Sequence, residues 1–114
     1  MRRDPRAFLW DAREAADRII EFTDGVDIER YRDDAMLRSA VERQLEIIGE
    51  ALNQLASVQP EAAERIPELR QAIGLRNILV HGYATVDDAI VWHTARADVP
   101  LLRRRIARIL EEIS

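Results

Sequence analysis

The sequence predicts an all-α protein, a single antiparallel bundle of four to five helices over residues 1–114. Leucine, isoleucine, valine and alanine recur at helical spacing through long segments. Aromatic residues make up only 5% of a chain that is 47% hydrophobic, and glycine and proline number four each. A chain of this length is expected to form one domain that buries roughly 65% of its unfolded surface. Strand-rich folds are therefore disfavoured.

The composition excludes several kinds of function. The chain has no cysteine and only two histidines, too few for a metal site built on thiolate or imidazole, so we expect no metal and no cofactor. Its net charge of -4 argues against a general nucleic-acid coat protein, and any RNA contact would need a local basic patch. The apolar run at residues 7–10 is too short for a signal peptide or a membrane span. We therefore expect a cytoplasmic protein.

The first helix is predicted from about Pro5 to Phe22. Asp4 is a good N-cap, and proline suits the first helical position. A Thr-Asp-Gly sequence ends this helix, and residues 26–32 are predicted to form a short polar connection. Tyr31 is expected to pack from this connection back onto the bundle.

The second helix is predicted from a cap at Asp33 or Asp34 to about Ser57. Its apolar face is wide enough to require two neighbouring helices. Gly49 costs about 1 kcal/mol of helix propensity relative to alanine, which indicates that another helix approaches it closely. The predicted seam consists of Leu37, Val41, Leu45, Ile48, Leu52 and Leu55, widened by Met36, Ala40, Ile47 and Ala51.

A short helix at about residues 59–65 is predicted to precede a helix that starts at Ile66-Pro67-Glu68. Proline again occupies a first-turn position. Gly74 indicates either close packing or local distortion. The buried side of this helix is predicted to consist of Leu69, Ile73, Leu75, Ile78, Leu79 and Val80.

The end of that helix, Arg76-Asn77-Ile78-Leu79-Val80-His81, joins apolar residues to groups that handle phosphate. Gly82 is expected to end the helix because glycine readily takes a positive φ. Along an ideal helix His81 lies roughly 140° around the axis from Arg76 and about 7.5 Å further on, so that a second copy of the chain could close the gap. An imidazole can both give and take a proton near neutral pH.

The last part of the chain is predicted to form one long helix that a proline interrupts. Residues 85–88 have the form of a Thr-x-x-Asp capping box, and a helix should follow to about Ala97. Pro100 should kink the helix or divide it near residues 98–99. The final seam is predicted to consist of Leu101, Leu102, Ile106, Ile109, Leu110 and Ile113. The basic run Arg103-Arg104-Arg105 with Arg108 is either a solvated helix face or a track for an RNA backbone.

Three glutamates, Glu42, Glu46 and Glu50, recur every four residues on the second helix. They are expected to form a solvated acidic face. A second interpretation is that one of them pairs with Arg76 and orients its guanidinium, and Glu46 is the candidate for this supporting role.

The spacing Arg76, four residues, His81, one residue, Tyr83 resembles the R-x(4-6)-H-x-Y motif of the HEPN superfamily, and the surroundings resemble its HepT-like branch. Residues 43–51 are similar to that branch's second-helix segment, and Val86-Asp87-Asp88 with the following helix is similar to its last. Together these segments cover most of the chain. The resemblance implies a metal-independent endoribonuclease in which Arg76 and His81 are catalytic, two copies meeting in a homodimer, with Asn77 as a candidate polar helper.

The resemblance also implies a role for Tyr83, since a phenol is a poor acid or base at neutral pH. In the HepT-like branch the corresponding tyrosine is where a minimal nucleotidyltransferase antitoxin attaches AMP and silences the ribonuclease toxin. Two alternatives remain open. All three residues could be structural, as a surface arginine, a helix-terminal histidine and a core-edge tyrosine. The protein could also be a non-catalytic adaptor that binds the nucleotidyltransferase.

Overall fold

The computed structural model describes residues 3–82 and 86–113, and these residues fold into helices around one buried apolar cluster. The predicted all-α class is confirmed. The α-helices are α1 (Pro5–Thr23), α2 (Ile28–Asp33), α3 (Ala35–Val58), α4 (Pro60–Glu64), α5 (Leu69–His81), α6 (Asp88–His93) and α7 (Val99–Ile113), with a π-helical turn at Thr94–Asp98 between the last two.

The long helix α3 is the centre of the bundle. It packs against α1 and against α5, and α7 packs on α1. The prediction that the apolar face of α3 needs two neighbours is thus confirmed. Small residues on α1, Ala12, Ala15 and Ala16, are all fully buried, and small side chains allow helices to approach closely.

The start of α1 is the predicted one. The Asp4 side chain accepts a hydrogen bond from the backbone N–H of Arg6, and Pro5 takes the first helical position. The cap satisfies a donor that has no partner within the helix.

The predicted connection at residues 26–32 is wrong in one respect, because most of it forms the short helix α2. Asp27 caps this helix by accepting from the backbone N–H of Arg30. Tyr31 is fully buried, with its ring centroid 5.0 Å from that of Trp92. The expected packing of Tyr31 on the bundle is confirmed, and that packing holds the short helix in place.

Met36 was predicted to widen the seam of α3, but it is 85% exposed. The N-cap is Asp34, which accepts from the backbone N–H of Leu37, so Met36 lies in the first turn. Ile47 and Ala51 lie on the same flank of the helix and are covered by the bundle. The flank is therefore buried only further along α3, where other helices reach it.

Helix α5 begins at Leu69, three residues later than predicted. The backbone N–H of Leu69 donates to the carbonyl of Ile66 in a turn that contains Pro67, and Glu68 provides no side-chain cap. Ile66 itself is buried and anchors this turn to the core.

The long C-terminal helix is divided close to the predicted position. The π-helical turn ends at Asp98, and the backbone N–H of Val99 donates to the carbonyl of Thr94. Because a proline lacks an N–H and its ring crowds the carbonyl four residues earlier, the wider turn accommodates Pro100 without ending the helix. The N-cap of α6 is Asp87, which accepts from two backbone N–H groups, whereas Thr85 of the predicted capping box lies outside the described residues.

Among residues 3–82 and 86–113, no helix has both the length and the apolar character needed to cross a bilayer.

The ionisation of Glu42 is expected to reduce stability at neutral pH. Burial raises the pKa of this carboxyl, the negative charge of Asp88 raises it further, and Arg38 offsets part of the effect. This pKa is higher in the folded than in the unfolded chain. Protonated Glu42 therefore contributes its full stabilisation at a pH below about 4.3, its pKa in the unfolded chain, and this stabilisation is lost as the pH rises through the pKa of the folded chain.

We therefore expect Glu42→Gln to raise the free energy of unfolding at pH 7, with an advantage that disappears below pH of about 4. Urea denaturation at several pH values measures this difference. The exposed Glu21 on α1 provides the control substitution, Glu21→Gln. A Glu42→Gln protein that is less stable than the parent at pH 7 would contradict the assignment.

Candidate active site

Helices α3 and α5 cross at Gly49, which is buried. A Cβ built on Gly49 would lie 2.2 Å from the Cβ of Arg76 and 2.8 Å from the backbone oxygen of Ala72. Real carbon atoms do not approach so closely, so only glycine allows this crossing. The predicted close neighbour of Gly49 is confirmed, and it is the helix of the same chain that carries Arg76.

The crossing fixes the guanidinium of Arg76. Nη2 of Arg76 lies 2.6 Å from Oε2 of Glu50, and Nη1 donates to Oδ1 of Asn77 at 3.0 Å. The Nε atom of Arg76 is buried and has no hydrogen-bond partner among the residues that the structure describes. The amide of Gln54 donates to the other oxygen of Glu50 at 2.9 Å. A partly exposed ion pair of this kind stabilises a protein by at most about 1 kcal/mol, so its main effect is to orient the guanidinium.

A glutamate of α3 therefore pairs with Arg76, but that glutamate is Glu50, whereas the sequence had singled out Glu46. The carboxylate of Glu46 instead lies 3.5 Å from Nη1 of Arg43. Gly49 marks the crossing with α5, and Glu50, the next residue along α3, is the glutamate that reaches Arg76 there. Gln54, which holds Glu50, was not anticipated.

Arg76 and Glu46 share a cleft of about 390 Å³ between α1, α3 and α5. The α1 side of this cleft was not predicted from the sequence. There, the guanidinium of Arg3 lies over the ring of Phe8 at 5.0 Å and pairs with Asp11 at 2.9 Å. The lining residues are Arg3, Phe8, Asp11, Arg43, Glu46, Ile47, Glu50, Ala51, Gln54, Arg76 and Val80.

His81 is the last residue of α5 and is exposed, and Gly82 follows it in the left-handed conformation with φ 61°. The end of the helix at His81 and the positive φ of Gly82 were predicted. The cleft lining includes Val80 but not His81, which lies at the end of the helix where the negative pole of the dipole is located. Tyr83 lies outside the described residues.

One side of α5 is more exposed than the sequence predicted. Of its six predicted core residues only Leu75 is buried, while Ile78 and Val80 are 43% and 47% exposed. The reason is that α5 lies at the edge of the bundle, with α3 as its main neighbour. Gly74, Ile78 and His81 follow one another at helical spacing on the exposed side, and a Cβ added to Gly74 would meet no atom of residues 3–82 or 86–113 within 4 Å.

The basic run on α7 is divided between two environments. Arg103 pairs with Asp17, and Arg105 pairs with Glu68. Arg104 and Arg108 border a second cleft of about 330 Å³ with Arg65, and Arg105 lines the same cleft. Half of the run therefore has ordinary surface ion pairs, and both interpretations of the basic run remain open.

The site combines a guanidinium held in a fixed orientation with an imidazole at the exposed end of the same helix. Guanidinium binds phosphate oxygens in a planar fork, and imidazole transfers protons near neutral pH. The fold and the site together therefore indicate a small helical protein whose guanidinium and imidazole are suited to chemistry on a phosphodiester.

Comparison with known proteins identifies the family. The model of the ribonuclease HepT-like family matches residues 12–109, and the chain therefore belongs to this family, within the HEPN superfamily.

Curated relatives agree with this assignment over nearly their whole length. The chain is 38% identical over 105 residues to the protein named "Putative RNase MJ1380" of Methanocaldococcus jannaschii, covering 92% of this chain and 95% of that protein. It is 35% identical over 112 residues to "Putative RNase MJ1216" of the same organism, covering 98% and 92%. It is 33% identical over 109 residues to "Probable ribonuclease HepT" of Thermococcus cleftensis, covering 96% and 98%. No solved structure matches the chain significantly.

Proposed function

We propose that this protein is a metal-independent endoribonuclease in which Arg76 and His81 are the catalytic residues. The observation that carries the proposal is the fixed Arg76 guanidinium at the border of a cleft, with His81 at the exposed end of the same helix. Membership of a ribonuclease family supports it.

RNA carries its own nucleophile, the 2′-hydroxyl, so the reaction needs proton transfer and charge stabilisation. The 2′-oxygen attacks phosphorus and loses its proton to a base, the bond from phosphorus to the 5′-oxygen breaks, and that oxygen takes a proton from an acid. The products are a 2′,3′-cyclic phosphate and a 5′-hydroxyl. Imidazole serves as base or acid. The guanidinium of Arg76 stabilises the additional negative charge on the pentacoordinate phosphorus.

The base and the acid act at opposite sides of the phosphorus, whereas each protomer supplies one His81. A homodimer that packs the exposed side of α5 against its copy would place two imidazoles around one phosphate. The apolar exposure of Ile78 and the open space at Gly74 support such packing, because an approaching helix needs a small residue and an apolar contact.

We expect Ile78→Asp to weaken the homodimer at least about thirtyfold, since burying a carboxylate at the centre of an interface costs about 2 kcal/mol or more. Sedimentation equilibrium measures the dissociation constant. The matched control is Met36→Asp, which places the same charge at an even more exposed apolar residue outside α5. A dissociation constant that rises equally with both substitutions, or that changes with neither, would contradict a dimer through α5.

RNA cleavage by the purified protein in the presence of EDTA tests the activity itself. Metal-independent cleavage that yields cyclic phosphate ends supports the proposal. The competing function is a non-catalytic adaptor for a nucleotidyltransferase, and binding of that enzyme without cleavage of any RNA would favour it.

We further propose that the protein is the toxin of a toxin–antitoxin pair and that a minimal nucleotidyltransferase silences it by attaching AMP to Tyr83. Tyr83 directly follows Gly82, which ends α5 beside His81. Adenylate there would add negative charge and bulk near the catalytic pair and would compete for Arg76.

Incubation with the nucleotidyltransferase and ATP is expected to add one adenylate to the protein, and Tyr83→Phe should abolish this addition. Intact-mass spectrometry measures it. The chain has only one other tyrosine, Tyr31, which is fully buried and serves as the internal control. Adenylate that persists in Tyr83→Phe would contradict the assignment.

A further inference from the structure

The cleft beside Arg76 contains more polar groups than the binding of one phosphate requires. Its volume of about 390 Å³ is within the usual range for small-molecule sites. Besides Arg76 it is lined by two further arginines, Arg3 and Arg43, and by the carboxylates of Asp11, Glu46 and Glu50. Such a mixture of donors and acceptors is suited to a nucleoside rather than to a phosphate alone.

Two of the three carboxylates already accept hydrogen bonds or pair with an arginine, although Oδ1 of Asp11 has no such partner among the described residues. One oxygen of Glu50 accepts a hydrogen bond from Gln54, and the other pairs with Arg76. Oδ2 of Asp11 accepts a hydrogen bond from Arg3. Glu46 is different, because its contact with Arg43, at 3.5 Å, is longer than a hydrogen bond. Among the described residues of the cleft, Glu46 is therefore the carboxylate with neither oxygen in a hydrogen bond, and both oxygens can accept from a ligand.

We propose that this cleft is a base-recognition subsite of the RNA substrate, and that Glu46 selects a base with an exocyclic amino group, guanine above all. A carboxylate only accepts hydrogen bonds. Guanine presents two adjacent N–H donors on its Watson–Crick edge, whereas uracil presents one N–H between two carbonyl oxygens that the carboxylate repels.

The α1 side of the cleft supplies a surface for the flat face of the base. The guanidinium of Arg3 lies over the Phe8 ring, and the Arg3 side chain is half exposed. Bases stack on guanidinium planes as well as on aromatic rings. The inference rests on the proposed ribonuclease function, because Arg76 would then hold the phosphate attached to the selected nucleoside.

Calorimetric binding of guanosine monophosphate and uridine monophosphate to the full-length protein tests the subsite without requiring cleavage. We expect the guanosine nucleotide to bind at least about tenfold more tightly, as for one well-placed bidentate contact to a base. Glu46→Gln should bring the ratio of the two affinities close to one. Glu42→Gln removes the same charge one turn earlier on α3, outside the cleft, and should leave the ratio unchanged.

Mapping the bonds cut in a single-stranded RNA of random sequence provides the second measurement. The parent protein should cut next to guanine in preference to uracil, and Glu46→Gln should lose this preference. Equal binding of the two nucleotides, or a preference that persists in Glu46→Gln, would overturn the inference while leaving the ribonuclease proposal intact. A guanosine preference without cleavage of any RNA would instead overturn the ribonuclease proposal.

Discussion

Replacement of Arg76 by alanine is expected to lower the rate of RNA cleavage by about 10²- to 10³-fold, the usual cost of removing one donor that stabilises transition-state charge. Glu50 and Asn77 hold this guanidinium in a defined orientation at the cleft. Arg76→Lys should recover little activity, because an ammonium keeps the charge but loses the planar fork.

The loss of activity should occur without loss of the fold. Alanine keeps the Cβ that lies against Gly49, and Glu50 remains half-exposed and hydrogen-bonded to Gln54. We therefore expect the free energy of unfolding to fall by no more than about 1 kcal/mol. Circular dichroism during urea denaturation measures this change in stability, and initial cleavage rates at saturating RNA measure the loss of activity.

The matched control is Arg70→Ala, on the exposed part of the same helix and outside the cleft lining. It removes the same charge and should retain full activity. His81→Ala should lose cleavage by about 10²- to 10⁴-fold, as expected for a general acid or base. An Arg76→Ala protein that folds, dimerises and cleaves RNA at the parent rate would remove Arg76 from the mechanism.

Gly49→Ala is expected to destabilise the protein by about 3 kcal/mol, at the upper end of the range for overpacked interiors. The added methyl group would have to enter space occupied by the Cβ of Arg76 and the backbone oxygen of Ala72. Neither atom belongs to a flexible side-chain end, so α5 must move away from α3. That movement would also separate Arg76 from Glu50, and cleavage should fall together with stability.

Gly74→Ala is the control for Gly49→Ala, because both substitutions replace a glycine inside a helix. A Cβ at Gly74 meets no atom of the described chain, so alanine there should stabilise the fold by about 0.5 to 1 kcal/mol through helix propensity alone. Both changes should be introduced into Ile78→Asp, in order to exclude effects on a dimer. Urea denaturation then measures the difference, and equal stability of the two variants would contradict the tight crossing.

The local features of the fold could be predicted from the sequence. Asp4 with Pro5, Asp34, and Gly82 each begin or end a helix as expected, because a cap depends on a few neighbouring residues. Tyr31 was correctly predicted to be buried, although the connection that carries it is a helix. The position at which Pro100 interrupts the helix could be predicted. The π-helical form of that interruption could not, since such a turn depends on how the surrounding helix can relax.

The neighbours of each helix could not be predicted in the same way. Helical spacing shows which residues share a face, but it does not show whether another helix covers that face. Ile78 and Val80 were predicted to be buried because they are apolar, and they are exposed because α5 lies at the edge of the bundle. Similarly, Met36 continues the flank of α3 beyond the part that the bundle covers.

By itself, the sequence determined that the chain is all-helical, where most of its helices begin and end, and that Arg76 and His81 lie near the end of one helix. Only the tertiary structure decided that Glu50 orients Arg76 and that α1 forms one side of the cleft. The reason is that helix formation is governed by residues close together in the chain. Pairing and cleft formation depend on how distant segments cross, and here that crossing is set by the space at Gly49.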